Sequence, residues 1–132
     1  MPRPSDPNKR EFYVYRFAVG NTPVYVGIGR DKRASDRVRY VKYMMERSRL
    51  GKPVKWSLST RVIAQLIHAG YPPRTVYVIR KLTRSAAIAR ERLEITRLVR
   101  RGALLANVQH NPNRDLSPSV IVKVIVNCQR GL

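Results

Sequence analysis

At 132 residues the chain is long enough to fold around one hydrophobic core and too short for two independent ones. Its 43% apolar content is that of folded protein, yet 27 Lys and Arg stand against 8 Asp and Glu, a formal charge of +19. Each basic side chain set against a phosphate releases condensed counterions, so the surplus points to nucleic acid ahead of an anionic membrane surface. No run of about 18 apolar residues is present, and the start MPRPSDPNKRE lacks the apolar core of a secretory signal. The expected location is therefore the cytoplasm, at the nucleoid if the source is bacterial. The single cysteine, Cys128, excludes an internal disulfide and a thiolate zinc cluster, and reads as a small, at least half-buried apolar residue.

In chain order, residues 1–10 carry prolines and polar residues and read as a disordered basic arm. Phe12 to Phe17 and Pro23 to Ile28 are aromatic and β-branched around the turn-prone Gly20-Asn21-Thr22, which predicts a β-hairpin. Alternation places Tyr13, Tyr15 and Phe17 on one face of the first strand, with Tyr25 and Gly27 on one face of the second. After a basic loop, Gly29 to Arg33, Ser35 or Asp36 is the expected cap of a helix with Val38, Val41, Met44 and Met45 on one stripe, ending near Gly51-Lys52-Pro53. A second helix follows Ser57 or Ser59, buries Val62, Ile63, Leu66 and Ile67, leaves His68 in solvent and stops at Gly70. Arg74 to Leu82 alternates as a third strand. Thr83 or Ser85 then caps a third helix that runs to about Arg101 and stops at Gly102. Beyond a loop at Asn107 to Pro112, Ser119 to Val126 is almost wholly β-branched and predicts a strand covered on both faces. As an apolar edge it would offer a template for a homodimer. The expected organisation is an arm (1–10), a main domain (11–112) and a strand extension of that domain (113–132).

The chemistry centres on the third helix. Helical phase puts Glu91 in the middle of the stripe formed by Ala87, Ile88, Ile95, Leu98 and Val99, with Glu94 at its edge. A carboxylate on a packed face costs several kcal/mol unless a cation or strong donors satisfy it, so Glu91 calls for a metal ion or an arginine. Arg33 and Arg37, one helical turn apart, can reach a common point.

The ordered set Tyr13-Val14-Tyr15, Tyr25-Val26-Gly27-Ile28-Gly29, Arg33, a helix bearing Glu91, and Leu104-Leu105-Ala106-Asn107 resembles the GIY-YIG nuclease superfamily over residues 11 to 112. The resemblance implies an α/β (α+β) fold with a small three-stranded antiparallel sheet flanked by helices, here with an extra C-terminal strand. It implies that Glu91 binds one Mg²⁺ or Mn²⁺ ion and that Arg33 steadies the phosphate. Tyr15 and Tyr25 would orient or activate water, and Asn107 would support the site. Arg30, Lys32, Arg33 and Arg37 form the expected nucleic-acid contacts, with DNA favoured over RNA. Two positions depart from the family pattern: Tyr13 replaces a frequent glycine, and Arg37 stands where many members carry histidine. A guanidinium cannot serve as a general base at neutral pH. Two readings follow, a metal-dependent DNA endonuclease and a basic binding module that keeps the fold without cleaving.

Overall fold

A computed structural model describes residues 6–131. The expected hairpin is present as β1 (Phe12–Val19) and β2 (Thr22–Arg30), joined by the two-residue loop Gly20-Asn21. Gly20 takes a φ of +58°, a conformation that hairpin turns demand of their first loop residue and that glycine adopts without cost. Then come α1 (Arg33–Arg49), α2 (Leu58–His68), β3 (Arg74–Leu82), α3 (Arg84–Arg100) and α4 (Pro118–Gln129). The three strands form one antiparallel sheet in the order β2-β1-β3, so β1 is central and is paired on both sides.

This mixed α/β architecture agrees with the expected small sheet flanked by helices. Each sheet face carries its own core. Tyr13, Tyr15, Phe17 and Val19 of β1 pack with Val41 of α1, Val62, Ile63 and Leu66 of α2, and Ile121 and Ile125 of α4. On the opposite face Val14 and Val26 pack under Ala87, Ile95 and Leu98 of α3. The alternation of β1 thus sends the tyrosines one way and Val14 the other.

Capping is resolved at each helix. Ser57, rather than Ser59, caps α2 through a capping box with Thr60, and Thr83, rather than Ser85, caps α3 by accepting from the Ala86 N–H. Neither Ser35 nor Asp36 caps α1, which starts earlier, at Arg33, with Lys32 as an N-cap that makes no side-chain bond. The orphan donors of the first turn find another partner: the Tyr13 hydroxyl accepts from the Ala34 N–H at 3.2 Å and donates to the Asp31 carbonyl at 2.9 Å.

The C-terminal segment corrects the sequence reading. Residues 119–126 are helical, not extended, so no edge strand exists there to template a homodimer, and the extension 113–132 carries a helix. The decisive features are local and positional. Ser117 accepts from the Val120 N–H as N-cap, and Pro118 follows at the first helical position. Ile121, Val122 and Ile125 then recur at helical spacing toward the core, while Lys123 and Val124 point outward. Packing overrides the weak β-preference of valine and isoleucine. Gln129, in the last turn, donates to the Val19 carbonyl at 2.8 Å and to Thr22 Oγ1 at 2.9 Å, fastening α4 to the hairpin turn. Cys128 is exposed on this helix rather than half-buried. Of the arm expected to be disordered, residues 1–5 lie outside the described residues, and residues 6–10 are exposed.

The two assignments of this segment separate under alanine substitution. In the helix, Ile125→Ala leaves a core cavity and costs about 2–5 kcal/mol, whereas Val124→Ala on the outer face is neutral or gains about 0.5 kcal/mol. Urea titration of both variants checks this, and a loss of about 1 kcal/mol for Val124→Ala would restore the strand.

Candidate active site

The site is built on the tyrosine face of the sheet. In the β1–β2 register Tyr13 lies opposite Gly29 and Tyr15 opposite Gly27, and both rings lie directly over those glycines. A Cβ at Gly27 would stand 2.6 Å from Tyr15 Cζ and Oη, and one at Gly29 would stand 2.7 Å from the Tyr13 ring. The glycines of the second motif are therefore the floor on which two tyrosines lie. Phe17 and Tyr25 continue the row, stacked at 6.0 Å, and Tyr15 and Tyr25 stand 6.4 Å apart between ring centroids. Tyr77 of β3 packs edge-on against Tyr13 at 5.1 Å and carries Arg80 over its own face at 3.9 Å.

The first turns of α1 cover one end of this row. Arg37 lies over the Tyr25 ring at 4.5 Å and donates from Nη2 to Ser59 Oγ at 2.6 Å, while its buried Nε has no partner. Such a guanidinium is fixed in place, because its flat face rests on an aromatic quadrupole and one edge is tied down. Arg33 and Arg37 share a cleft of about 440 Å³ with Tyr15, Ile28, Asp36 and Tyr40. Arg33 also lines a second cleft of about 660 Å³ with Arg30, Arg84 and Glu11. It therefore stands on the ridge between the two. Arg30 is exposed in the outer cleft and paired with Glu11 at 3.2 Å, and Lys32 is exposed at the head of α1.

Glu91 and Glu94 exchange the fates their helical phase predicts. Glu94 is the buried one, 2% exposed, and accepts from Arg16 Nη1 at 3.3 Å and from Arg97 Nε at 3.2 Å. The buried Glu–Arg pair that was one option for Glu91 is thus realised one turn later. Glu91 is half-buried and has neither a hydrogen bond nor an ion pair among the described residues. Loss of water raises its pKa above the ordinary carboxylate value. Ile88, part of the expected stripe, is 50% exposed. Phase fixes the direction a residue faces and not what stands opposite it. Over Glu94, Ile95 and Leu98 that is the sheet, and at Glu91 no cation among the described residues stands within ion-pair distance.

Electrostatics tie Glu91 to the tyrosines. Burial raises the pKa of Tyr15 and of Tyr25, the Arg37 charge lowers both, and the Glu91 charge raises both. Tyr15 and Tyr25 thus feel the charges of both Arg37 and Glu91, although α3 packs on the opposite face of the sheet and Glu91 lines neither cleft. Among the described residues no three His, Cys, Asp or Glu side chains cluster as a metal site. Glu91 is a half-buried, unpartnered hard-oxygen carboxylate, a donor that fits Mg²⁺ or Mn²⁺ retaining most of its waters.

Asn107 is elsewhere. Its side-chain amide is buried against the outer edge of β2, accepting from the Val26 N–H at 3.0 Å and donating to the Val26 carbonyl at 2.8 Å, while the Ala106 N–H donates to the Val24 carbonyl. Asn111 braces the loop by donating to the carbonyls of Leu105 and Asn107. Asn107 therefore holds the strand that carries Tyr25 and has no place in the cleft. Tyr13, a residue of the first motif, acts in addition as the latch of α1, while Ser59 as the anchor of Arg37 and Tyr40 on the cleft wall lie outside every motif. Of the latter two, only Tyr40 leaves a legible trace, through its helical spacing from Arg33 and Arg37.

Comparison with family models, with curated proteins and with solved structures gives no match in any of the three.

The glycine floor makes a direct prediction. Gly27→Ala forces the buried Tyr15 ring off its seat and destabilises the fold by about 1–3 kcal/mol, read as a lower denaturation midpoint. Gly51→Ala, at a helix end where an added Cβ meets open space, pays only for its positive φ. A Gly27→Ala variant as stable as the wild type would show that Tyr15 is not seated there.

Proposed function

We propose that this protein is a metal-dependent endonuclease that hydrolyses phosphodiester bonds in DNA. The observation that carries the reading is a half-buried carboxylate with no ion-pair partner among the described residues, whose charge acts on the same two tyrosines as that of a fixed arginine, beside the exposed Arg33, on a chain of charge +19. An unpartnered carboxylate drawn out of water weakens a fold unless it has a task, and binding a divalent ion is the task its surroundings favour.

Glu91 would hold the Mg²⁺ or Mn²⁺ ion, which when bound supplies Lewis-acid stabilisation of charge on the phosphate and leaving oxygen. In-line attack by water builds negative charge on the non-bridging oxygens. Arg33, which has no carboxylate partner among the described residues, can grip two of them at once. Arg37 adds a positive charge held by Ser59 and Tyr25. Because burial raises both tyrosine hydroxyls, they remain protonated at neutral pH, which favours orienting the attacking water over taking its proton. Arg30 at the end of β2 and Lys32 at the head of α1 extend the positive surface. The second reading, a nucleic-acid-binding module without cleavage, draws on Arg37, since no imidazole stands at that turn of α1 to accept a proton.

Supercoiled plasmid and branched DNA, incubated with Mg²⁺, with Mn²⁺ and with EDTA, separate the two readings. Metal-dependent nicking that disappears in Glu91→Gln and falls by about 10²–10³-fold in Arg33→Ala is the expected result. Salt-sensitive binding without nicking under every metal would replace the nuclease by the binding module.

Glu91 also makes a prediction about stability. Its folded pKa is raised, so the fold favours its protonated form. The stability associated with that form is fully present below the unfolded pKa and is lost as pH rises through the folded one. In EDTA at neutral pH, Glu91→Gln therefore melts above the wild type, and the difference shrinks at acidic pH. Added Mg²⁺ raises the wild-type melting temperature and leaves Glu91→Gln unmoved. Cleavage has the opposite sign and falls as pH drops through the same raised pKa. Equal melting of the two proteins at every pH and metal concentration would remove Glu91 as the ligand.

A further inference from the structure

The outer surface of α1 carries two large aromatic side chains that no core needs. Tyr40 and Tyr43 are each 56% exposed, with ring centroids 6.4 Å apart in a stacked arrangement. Arg47 backs the outer ring, with its guanidinium carbon 5.8 Å from the Tyr43 centroid and Nη1 3.4 Å from the hydroxyl. Tyr40 belongs at the same time to the wall of the cleft that holds Arg33, Arg37 and Tyr15. The pair therefore begins at the candidate active site and leads away from it along the helix.

The charge around the pair is predominantly positive. Asp36 and Glu46 are the only acidic residues of α1, and they face Arg39 and Arg49 respectively. Arg33, Arg37, Lys42 and Arg47 have no carboxylate partner among the described residues. Exposed aromatic faces interleaved with unpaired cations match a polyanion that also carries flat π-surfaces. A paired duplex keeps its base faces stacked on one another, and an unpaired strand offers them. The positive, aromatic surface does not match an apolar peptide, whose docking gains nothing from the surrounding arginines.

We infer that Tyr40 and Tyr43 form a stacking platform for unpaired bases of a DNA strand whose phosphate lies in the adjacent cleft, so that the substrate is single-stranded or branched rather than continuous duplex. The inference rests on the nuclease reading for the identity of the cleft, and its test is independent of cleavage. Base stacking on an exposed aromatic is tolerant of sequence, which suits a chain with no separate reading domain among its described elements.

Binding is measured in EDTA by fluorescence anisotropy with labelled twelve-nucleotide strands: oligo-dT, the same length of abasic DNA, oligo-U, and a duplex. Oligo-dT should bind about tenfold tighter than the abasic strand, which has the same phosphates and no bases. In Tyr40→Ala/Tyr43→Ala that preference disappears while abasic binding, carried by the arginines, stays within about twofold. Tyr40→Trp/Tyr43→Trp restores or strengthens it. Alanine favours an exposed helical position, so folding of the double variant is not at risk, and its circular dichroism verifies this. Equal affinity of the wild type for oligo-dT and abasic DNA, or a preference that survives the double substitution, would overturn the platform. A preference shown by oligo-U and not by oligo-dT would overturn the choice of DNA. Because no metal is present, failure to nick plasmid sinks the nuclease reading alone, and failure to prefer bases sinks the platform alone.

Discussion

Two tyrosine rings lying over two glycines set the geometry from which the rest follows. Tyr13 and Tyr15 on the central strand meet Gly29 and Gly27 on its neighbour, and only a residue without a side chain lets the rings settle onto the backbone. The seated Tyr13 places its hydroxyl at the start of α1, where it replaces the side-chain cap the helix lacks. The start of α1 then fixes Arg33 and Arg37, and Arg37 closes over Tyr25 on the strand it came from. The loop between β2 and α1 is thus held from below by one tyrosine and from beyond by an arginine.

The two carboxylates of α3 differ in depth and in partners. Glu94 is deeply buried and answered by Arg16 and Arg97, and breaking that arrangement would strand a charge in the core. Glu91 is shallower and unanswered. A half-buried charge without a counter-charge is a standing loss of stability, and such losses gather where a protein meets what it binds. The raised tyrosine pKa values fit this, since neutral hydroxyls add no negative charge beside the carboxylate.

Much of this was readable from residues alone. The hairpin, β3, and the phases of α2 and α3 follow from alternation, from helical spacing and from glycine stops, and the two basic residues at the head of α1 follow from their four-residue spacing. The failures have physical causes. In α4 the β-branched run reads as extended, whereas the Ser117-Pro118 start and the face covered by packing make it helical. At Glu91 and Glu94 azimuth was right and depth was not, since depth depends on where α3 overhangs the sheet. Asn107 was assigned by motif to the site, whereas its amide completes a strand edge, a role that depends on a neighbour far away in sequence.

That distance has a consequence for how the chain reaches its final form. The bonds between Asn107 and Val26 join residues 81 positions apart, while the β1–β2 hairpin closes across two. Hairpins form in microseconds and long-range closures far later. A refolding chain therefore passes through a stage in which β2 is paired on one side only, with Val24 and Val26 lining an open edge, the kind of surface on which copies of a chain adhere to one another. The charge of +19 is spread over every element and needs no finished fold to act, so mutual repulsion between molecules guards that edge until the asparagine arrives. The same positive charge that the proposed function sets against phosphate protects the unfinished chain, and high salt should weaken both effects.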